Sequence, residues 1–216
     1  MTEEDEAAGR DERRKRAEEE TAGMGKVSVL VAEGFEEVEC LAVVDLLRRA
    51  KIETEMVSVT GSRVVTGSHR IEVVTDRLIE EADFSETELL FLPGGGKGVA
   101  NLSASAAVAR AVRNQLSAGK RAAAICAAPS ILGKMGYFAH REFTCYPGWQ
   151  DGIDGVDGAR WTGRGVMTTG DITTGRGMGY AVDFGLELVR ILKGEAEADA
   201  LAERIQHPGT VEGKRA

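Results

Sequence analysis

Arg121-Ala122-Ala123-Ala124-Ile125-Cys126-Ala127-Ala128-Pro129-Ser130-Ile131-Leu132-Gly133-Lys134 reads as a short apolar strand, Arg121 to Ile125, passing through one cysteine into a helix, Ala127 to Lys134. Pro129 fits the helix because it falls in the first turn, where its missing amide proton costs no hydrogen bond. A strand that runs directly into a helix is the repeating unit of a mostly parallel α/β sheet. The same alternation continues on both sides.

Upstream, the strand Leu89 to Leu92 runs into Pro93-Gly94-Gly95-Gly96, a loop whose backbone amides lie open to a ligand. Val108, Val112 and Leu116 recur every four residues and mark the buried face of a helix that Ser105 begins and Gly119 ends. Val27 to Val31 is a buried strand, followed by a helix from Val38 to Leu47 with apolar residues on nearly every side, hence well covered. Arg48 and Arg49 suit its last turn, where cations meet the negative end of the dipole. Met56 to Val59 is a second strand, and Val64 to Val74, broken at Gly67-Ser68, is a hairpin.

Downstream, Glu142 to Tyr146, Val166 to Thr168 and Ile172 to Thr174 are strands, the last two turning at Thr169-Gly170-Asp171. Val182 to Leu192 is a helix entered through Gly175 to Gly179, and Ala196 to Ile205 is a shorter one. The expected fold is α/β: a single-domain three-layer sandwich with a mostly parallel, flavodoxin-like sheet and helices on both faces.

The 216 residues, 43% of them apolar, suffice for one ordinary core. The expected domain runs over residues 25–206, with a loose end at 207–216. Residues 1–24 are almost all charged or alanine, with acidic blocks around the basic run Arg13 to Arg16, and read as a disordered tail or a solvated helix. The acidic residues there argue against a transit peptide. A net charge of −8 argues against a nucleic-acid surface, which needs clustered cations. Cys40, Cys126 and Cys145 form no C-x-x-C pair and have no histidine at zinc-ligand spacing, so neither a disulfide scaffold nor a metal site is expected. No run approaches the ~18 apolar residues of a membrane span, and the expected compartment is the cytoplasm.

Ligands of open α/β sheets bind beyond the carboxyl ends of the strands. Gly34 to Glu39, Pro93 to Gly96 and Cys126 all fall there. A cysteine at a helix start sits at the positive end of the dipole, which favours thiolate; a small cysteine filling a core gap explains the spacing equally well. Glu36 and Glu39, three residues apart, point roughly the same way. Glu39 reads either as a solvated helix residue or, given Val38 and Leu41 beside it, as a buried carboxyl with a raised pKa.

The segments Ala122 to Pro129, Leu92 to Gly96 and Gly34 to Glu39 together resemble the ThiJ/PfpI superfamily, closest to its YajL/parkinsonism-associated protein deglycase branch. The resemblance runs from about Lys26 to Ile205. It implies Cys126 as nucleophile on a strained elbow, Glu39 as acid/base partner and Glu36 as a neighbouring structural carboxylate. It further implies oxyanion-stabilising amides at Gly95 and Ala127, and a pocket including Gly94, Tyr146 and the glycine-rich turn at Gly177.

On that basis the expected activity is a cofactor-free glyoxalase III or protein deglycase acting on methylglyoxal, glyoxal or their early amine adducts, in a homodimer. Two alternatives stand beside it: a redox-sensing stress protein or holdase chaperone that uses the same oxidisable cysteine, and a cysteine peptidase. The last is disfavoured because Ala127 and Tyr146 stand where relatives place histidines. None of His69, His140 and His207 falls on a catalytic position, and His69 replaces an arginine that relatives hold at the site mouth. Cys40 is expected in the core, and Cys145 is unassigned.

Overall fold

The computed structural model describes residues 25–209; residues 1–24, including the basic run, and 210–216 lie outside them. The strands are β1 (Lys26–Val31), β2 (Thr54–Ser58), β3 (Val64–Thr66), β4 (Glu72–Val74), β5 (Arg77–Leu78), β6 (Thr87–Leu92), β7 (Arg121–Ile125), β8 (Glu142–Phe143), β9 (Arg160–Trp161), β10 (Val166–Thr169) and β11 (Ile172–Gly175). The helices are α1 (Glu37–Arg49), α2 (Gly96–Ala104), α3 (Ala106–Ser117), α4 (Pro129–Lys134), α5 (Ala181–Lys193) and α6 (Glu195–Arg204).

Seven strands form one sheet in the order β10-β11-β7-β6-β1-β2-β5. Every neighbouring pair is parallel except β10 with β11. The pleat of β1 divides the core, because alternate residues of a strand point to opposite faces. Val27, Val29 and Val31 join the layer formed by α1, α5 and α6, while Leu30 joins the layer under α2, α3 and α4. The chain leaves β1 for one face and β6 for the other, so the crevice between these neighbours is the switch point at which open sheets bind ligands. The α/β sandwich expected from the sequence is the fold.

Several local expectations need correction. The loop expected over Pro93 to Gly96 ends at Gly95, and Gly96 already opens a helix, α2; the glycines at 96 and 98 hide the helical pattern, and Gly98 is required because a Cβ there would lie 2.8 Å from the Phe35 backbone. The expected strand Glu142 to Tyr146 stops at Phe143 and pairs with β9 outside the main sheet. Its later backbone groups go elsewhere: the Thr144 amide donates to the Thr174 hydroxyl (3.0 Å), and the Tyr146 amide to the Cys126 carbonyl (2.8 Å). The helix expected from Ala127 begins at Pro129, so a three-residue turn, Cys126 to Ala128, separates it from β7. The two-residue strands β5 and β9 were too short to show a pattern. The hairpin β3–β4 is present as a separate ribbon.

Helix α1 is not covered on every side. Val38 is 49% exposed, whereas Glu37 and Glu39 are 3% and 1% exposed. Two carboxyl groups on the buried side of a helix need a reason beyond packing. For Glu37 the reason is the β3–β4 ribbon. Its carboxylate accepts from the Ser68 hydroxyl (3.0 Å), the His69 amide (2.5 Å) and the His69 ring (2.9 Å), while Ser68 N donates to the Phe35 carbonyl (2.8 Å). Burial alone would raise the Glu37 pKa, but these hydrogen bonds outweigh it and bring the group down to about 2. A carboxylate with a depressed folded pKa stabilises the fold above its unfolded value, and that contribution is lost as pH falls from about 4.5 towards about 2. Glu37→Gln is therefore expected to flatten the loss of stability over that acid range. Urea midpoints between pH 5 and 2 test it; parallel curves for the two proteins would remove the latch role.

Candidate active site

Three loops at the carboxyl ends of β1, β6 and β7 meet at one point. Cys126 leaves β7 with φ 63°, a left-handed conformation uncommon for any residue but glycine. Its amide donates to the Gly175 carbonyl at the end of β11 (2.9 Å), and Ala128 N donates to the Ile125 carbonyl (3.0 Å), so the strained elbow is held from both sides. The turn lifts the half-buried sulfur above the sheet edge, the arrangement of a nucleophile elbow.

The loop after β6 packs on the loop after β1: Glu36 N donates to Gly94 O (2.9 Å), and Gly98 N donates to Gly34 O (3.0 Å). Gly95 has φ 93°, and a Cβ on it would lie 2.5 Å from the Gly34 carbonyl. Only glycine brings that amide to face the sulfur, where it and the Ala127 amide favour the thiolate.

Glu39 reaches the same place from the first turn of α1. Glu36 caps this helix, its carboxylate accepting from Glu39 N at 2.7 Å. A Cβ on Gly94 would lie 2.0 Å from Glu39 Oε2 and 2.5 Å from the Cys126 Cβ, which places carboxyl and thiol on two sides of one missing side chain. Glu39 Oε2 is buried with no hydrogen-bond partner. Burial pushes the Glu39 pKa up to about 7; the Cys126 thiol and the amides of Gly94 and Met178 pull against it, and the Glu36 charge adds to it.

The helix start, which favours thiolate at Cys126, is opposed by the cavity around the sulfur. Burial, then the charge of Glu39, push the thiol up to about 12, and α4 is a six-residue helix with little dipole to oppose them. A second negative charge is disfavoured in this cavity, so above about pH 7 the two groups hold one proton between them and titrate as a pair.

The other residues singled out by sequence are placed as follows. Gly177 is buried opposite the pair: its missing Cβ would sit 3.9 Å from Glu39 Oε1 and 3.4 Å from the Tyr146 ring. Tyr146 is 52% exposed at the mouth. Cys40 is fully buried in the core, and so is Cys145. His69 is engaged by Glu37, His207 pairs with Asp183 (3.1 Å) and the His140 ring lies beside Gly158. Among the described residues no histidine hydrogen-bonds to Cys126. Glu37 and Trp149 were not anticipated; the Pro147-Gly148 turn was the available signal for the second, and nothing local distinguished Glu37 from Glu36.

Residues 25–191 match the DJ-1/PfpI family. The chain belongs to that family. It is 30% identical over 176 residues to the protein dj-1beta of Drosophila melanogaster, covering 81% of this chain and 93% of the fly protein. A deglycase of Pyrococcus abyssi is 30% identical, with 78% and 99% coverage. Among solved structures, a cysteine-to-alanine mutant of a DJ-1 superfamily protein from Salmonella typhimurium superposes with a TM-score of 0.80 at 34% identity, covering 86% of this chain and all of that one. In this DJ-1/PfpI chain, among the described residues, no helix is long and apolar enough to cross a membrane.

Proposed function

We propose that this DJ-1/PfpI protein converts small dicarbonyls, or their early adducts with amines, to hydroxy acids without a cofactor, in the cytoplasm and as a homodimer. The observation that carries the reading is the buried Glu39 carboxyl, its Oε2 without a hydrogen-bond partner, against the Cys126 thiol. With methylglyoxal, the sulfur adds to the aldehyde carbon and the carbonyl oxygen takes up a proton, giving a hemithioacetal. Glu39 removes the proton from that carbon to form an enediol and returns one to the neighbouring carbon, giving a lactoyl thioester. Water then cleaves the thioester to lactate and restores the thiol. The aldehyde carbon is oxidised and the ketone carbon reduced, so the sum is methylglyoxal plus water and no external oxidant is needed. The Gly95 and Ala127 amides face the position where negative oxygen develops.

The pair must lose one proton before sulfur attacks, so kcat/KM rises with pH through about 7, where Glu39 ionises. Lactate formation without glutathione, measured from pH 5.5 to 8.5, tests both statements. A chain that makes no lactate above background loses the glyoxalase reading, and a flat profile removes the coupled pair from it. The dimer is supported by the half-exposed Val38 on α1 and by the exposed Ile71 and Val74 of the β3–β4 ribbon, and light scattering tests it.

A second reading uses the same geometry. A sulfur facing two amides and a buried carboxyl is also placed to be oxidised by peroxide in two steps, through the sulfenic acid, to a sulfinic acid that those groups hold, as a redox sensor or a chaperone switch requires. Turnover separates the two: an enzyme gives many lactates per Cys126, whereas a sensor is modified once.

A further inference from the structure

The loop from Gly34 to Glu36 is one chain thick, and its backbone groups are shared between two neighbours. Toward the β3–β4 ribbon, Gly34 N donates to the Thr66 carbonyl (2.8 Å), and the Phe35 carbonyl accepts from Ser68 N (2.8 Å). Toward the segment after β6, the Gly34 carbonyl accepts from Gly98 N (3.0 Å), and Glu36 N donates to the Gly94 carbonyl (2.9 Å). The loop is a spacer between the ribbon and the Gly94–Gly98 segment.

Gly95 rests on this spacer, since a Cβ on it would lie 2.5 Å from the Gly34 carbonyl oxygen and 2.6 Å from Glu36 N. The Gly95 amide that faces the Cys126 sulfur therefore takes its place from the loop. Behind the loop stands the ribbon, which forms a sheet of its own and not part of the seven-stranded one. It is anchored by the fully buried Val65, by Thr66 N donating to Glu33 Oε2 (3.0 Å), and by the Glu37 carboxylate, which accepts from the Ser68 hydroxyl and from the amide and ring of His69. The fit is close: a Cβ on Gly67 would lie 2.3 Å from Glu37 Oε1.

We propose that Glu37 is a positioning residue: by fastening the ribbon behind the Gly34–Glu36 loop, it holds the Gly95 amide against the Cys126 sulfur. Without that carboxylate the Ser68 hydroxyl and the His69 amide turn to water, because a polar group left unpaired on the buried side of α1 is costly. The ribbon then backs away, and the loop and Gly95 relax after it. A donor aimed at a charged sulfur or oxygen loses its effect with small displacements, so the fastener acts on the site without touching the substrate.

Alkylation of Cys126 by iodoacetamide, followed against pH on the Cys126 peptide, reports where the sulfur ionises. It is measured in a Glu39→Gln chain, so that movement of that carboxylate does not enter. Glu37→Ala should raise the midpoint by about half a unit to one unit, because one amide no longer supports the thiolate. The sign decides, since removing a nearby negative charge would by itself lower the midpoint. Gly67→Ala, whose methyl group pushes the carboxylate off the ribbon, should raise it equally while Glu37 is present and add nothing to Glu37→Ala. Glu37→Gln, which keeps an acceptor for the His69 amide, should raise it less. Leu201→Ala, which loosens α6 in the same core layer, should leave it unchanged. A midpoint that stays or falls in Glu37→Ala and Gly67→Ala, full additivity of the two, or an equal rise in Leu201→Ala overturns the proposal. A second arm, turnover, rests on the dicarbonyl reading above: in the otherwise unmodified chain, Glu37→Ala should lower kcat for methylglyoxal about tenfold with KM within about twofold. A raised KM with kcat retained overturns the proposal, whereas an unmodified chain without turnover removes the dicarbonyl reading and leaves the alkylation midpoints to decide the role of Glu37.

Discussion

Gly94→Ala is expected to abolish Cys126-dependent activity while leaving the sheet intact. A methyl group at this position would stand 2.0 Å from Glu39 Oε2, 2.5 Å from the Cys126 Cβ and 3.1 Å from the Ile125 carbonyl, all inside contact distance. Only the Glu39 carboxyl, the end of a flexible side chain, can yield, and yielding takes it away from the thiol. The Glu39 backbone is fixed by the first turn of α1, and Cys126 by its elbow and its bond to Gly175. One or both must move, and displacement by ~1 Å is enough to cost on the order of a hundredfold in a positioned reaction. The strand before Gly94 is buried from Leu89 to Leu92 in both core layers, so far-ultraviolet circular dichroism should be retained while lactate formation falls by at least about a hundredfold. Activity within about threefold of the unmodified protein would mean that carboxyl and thiol need not flank Gly94 as they do here.

Glu39→Gln should do two opposite things. It removes the carboxyl facing Cys126, and loss of a general acid/base lowers turnover by about a hundredfold to ten-thousandfold. It also removes the negative charge beside the thiol, so Cys126 should ionise at lower pH than in the unmodified protein, although burial still holds it above a free thiol. Thiolate absorbance against pH measures this directly, and an unchanged midpoint would show that the two groups do not share a proton.

Stability should move the other way. A carboxyl whose pKa rises from 4.5 to about 7 on folding opposes the fold once the unfolded chain has ionised, an effect absent below about pH 4.5 and complete above about 7. An amide avoids it, so Glu39→Gln should be more stable than the unmodified chain by about 3 kcal/mol at pH 8 and no more stable at pH 4. Loss of activity with gain of stability marks a group retained for chemistry rather than for folding. Equal unfolding midpoints at pH 8 would contradict the raised pKa of the buried Glu39 carboxyl.

The sheet was legible because its strands are continuous apolar runs, the pattern of strands covered on both faces, and the glycine loop and Cys126 stood out at their ends. What the sequence concealed was long-range. Val38 and Leu41 suggested that Glu39 is buried, and it is, but Val38 itself is half-exposed; α1 buries its carboxyls because Gly94 and the Ser68–His69 turn face them. No pattern within α1 carries that information. Likewise Glu142 to Tyr146 has strand-like composition, but the Thr174 hydroxyl and the Cys126 carbonyl take its backbone donors. The raised thiol pKa was hidden for the same reason: a helix start is visible in sequence, whereas a carboxyl brought alongside from residue 39 is not.

In the proposed reaction, sulfur and carboxyl act in succession on one carbonyl substrate. Acid quenching during turnover of methylglyoxal, followed by digestion and analysis of the Cys126 peptide, tests it most directly. The unmodified chain should carry a lactoyl thioester that survives dilution and is cleaved by hydroxylamine, and Glu39→Gln only an adduct that dissociates on dilution. Lactate produced at the unmodified rate by Cys126→Ala, with no thioester on the native protein, would contradict it.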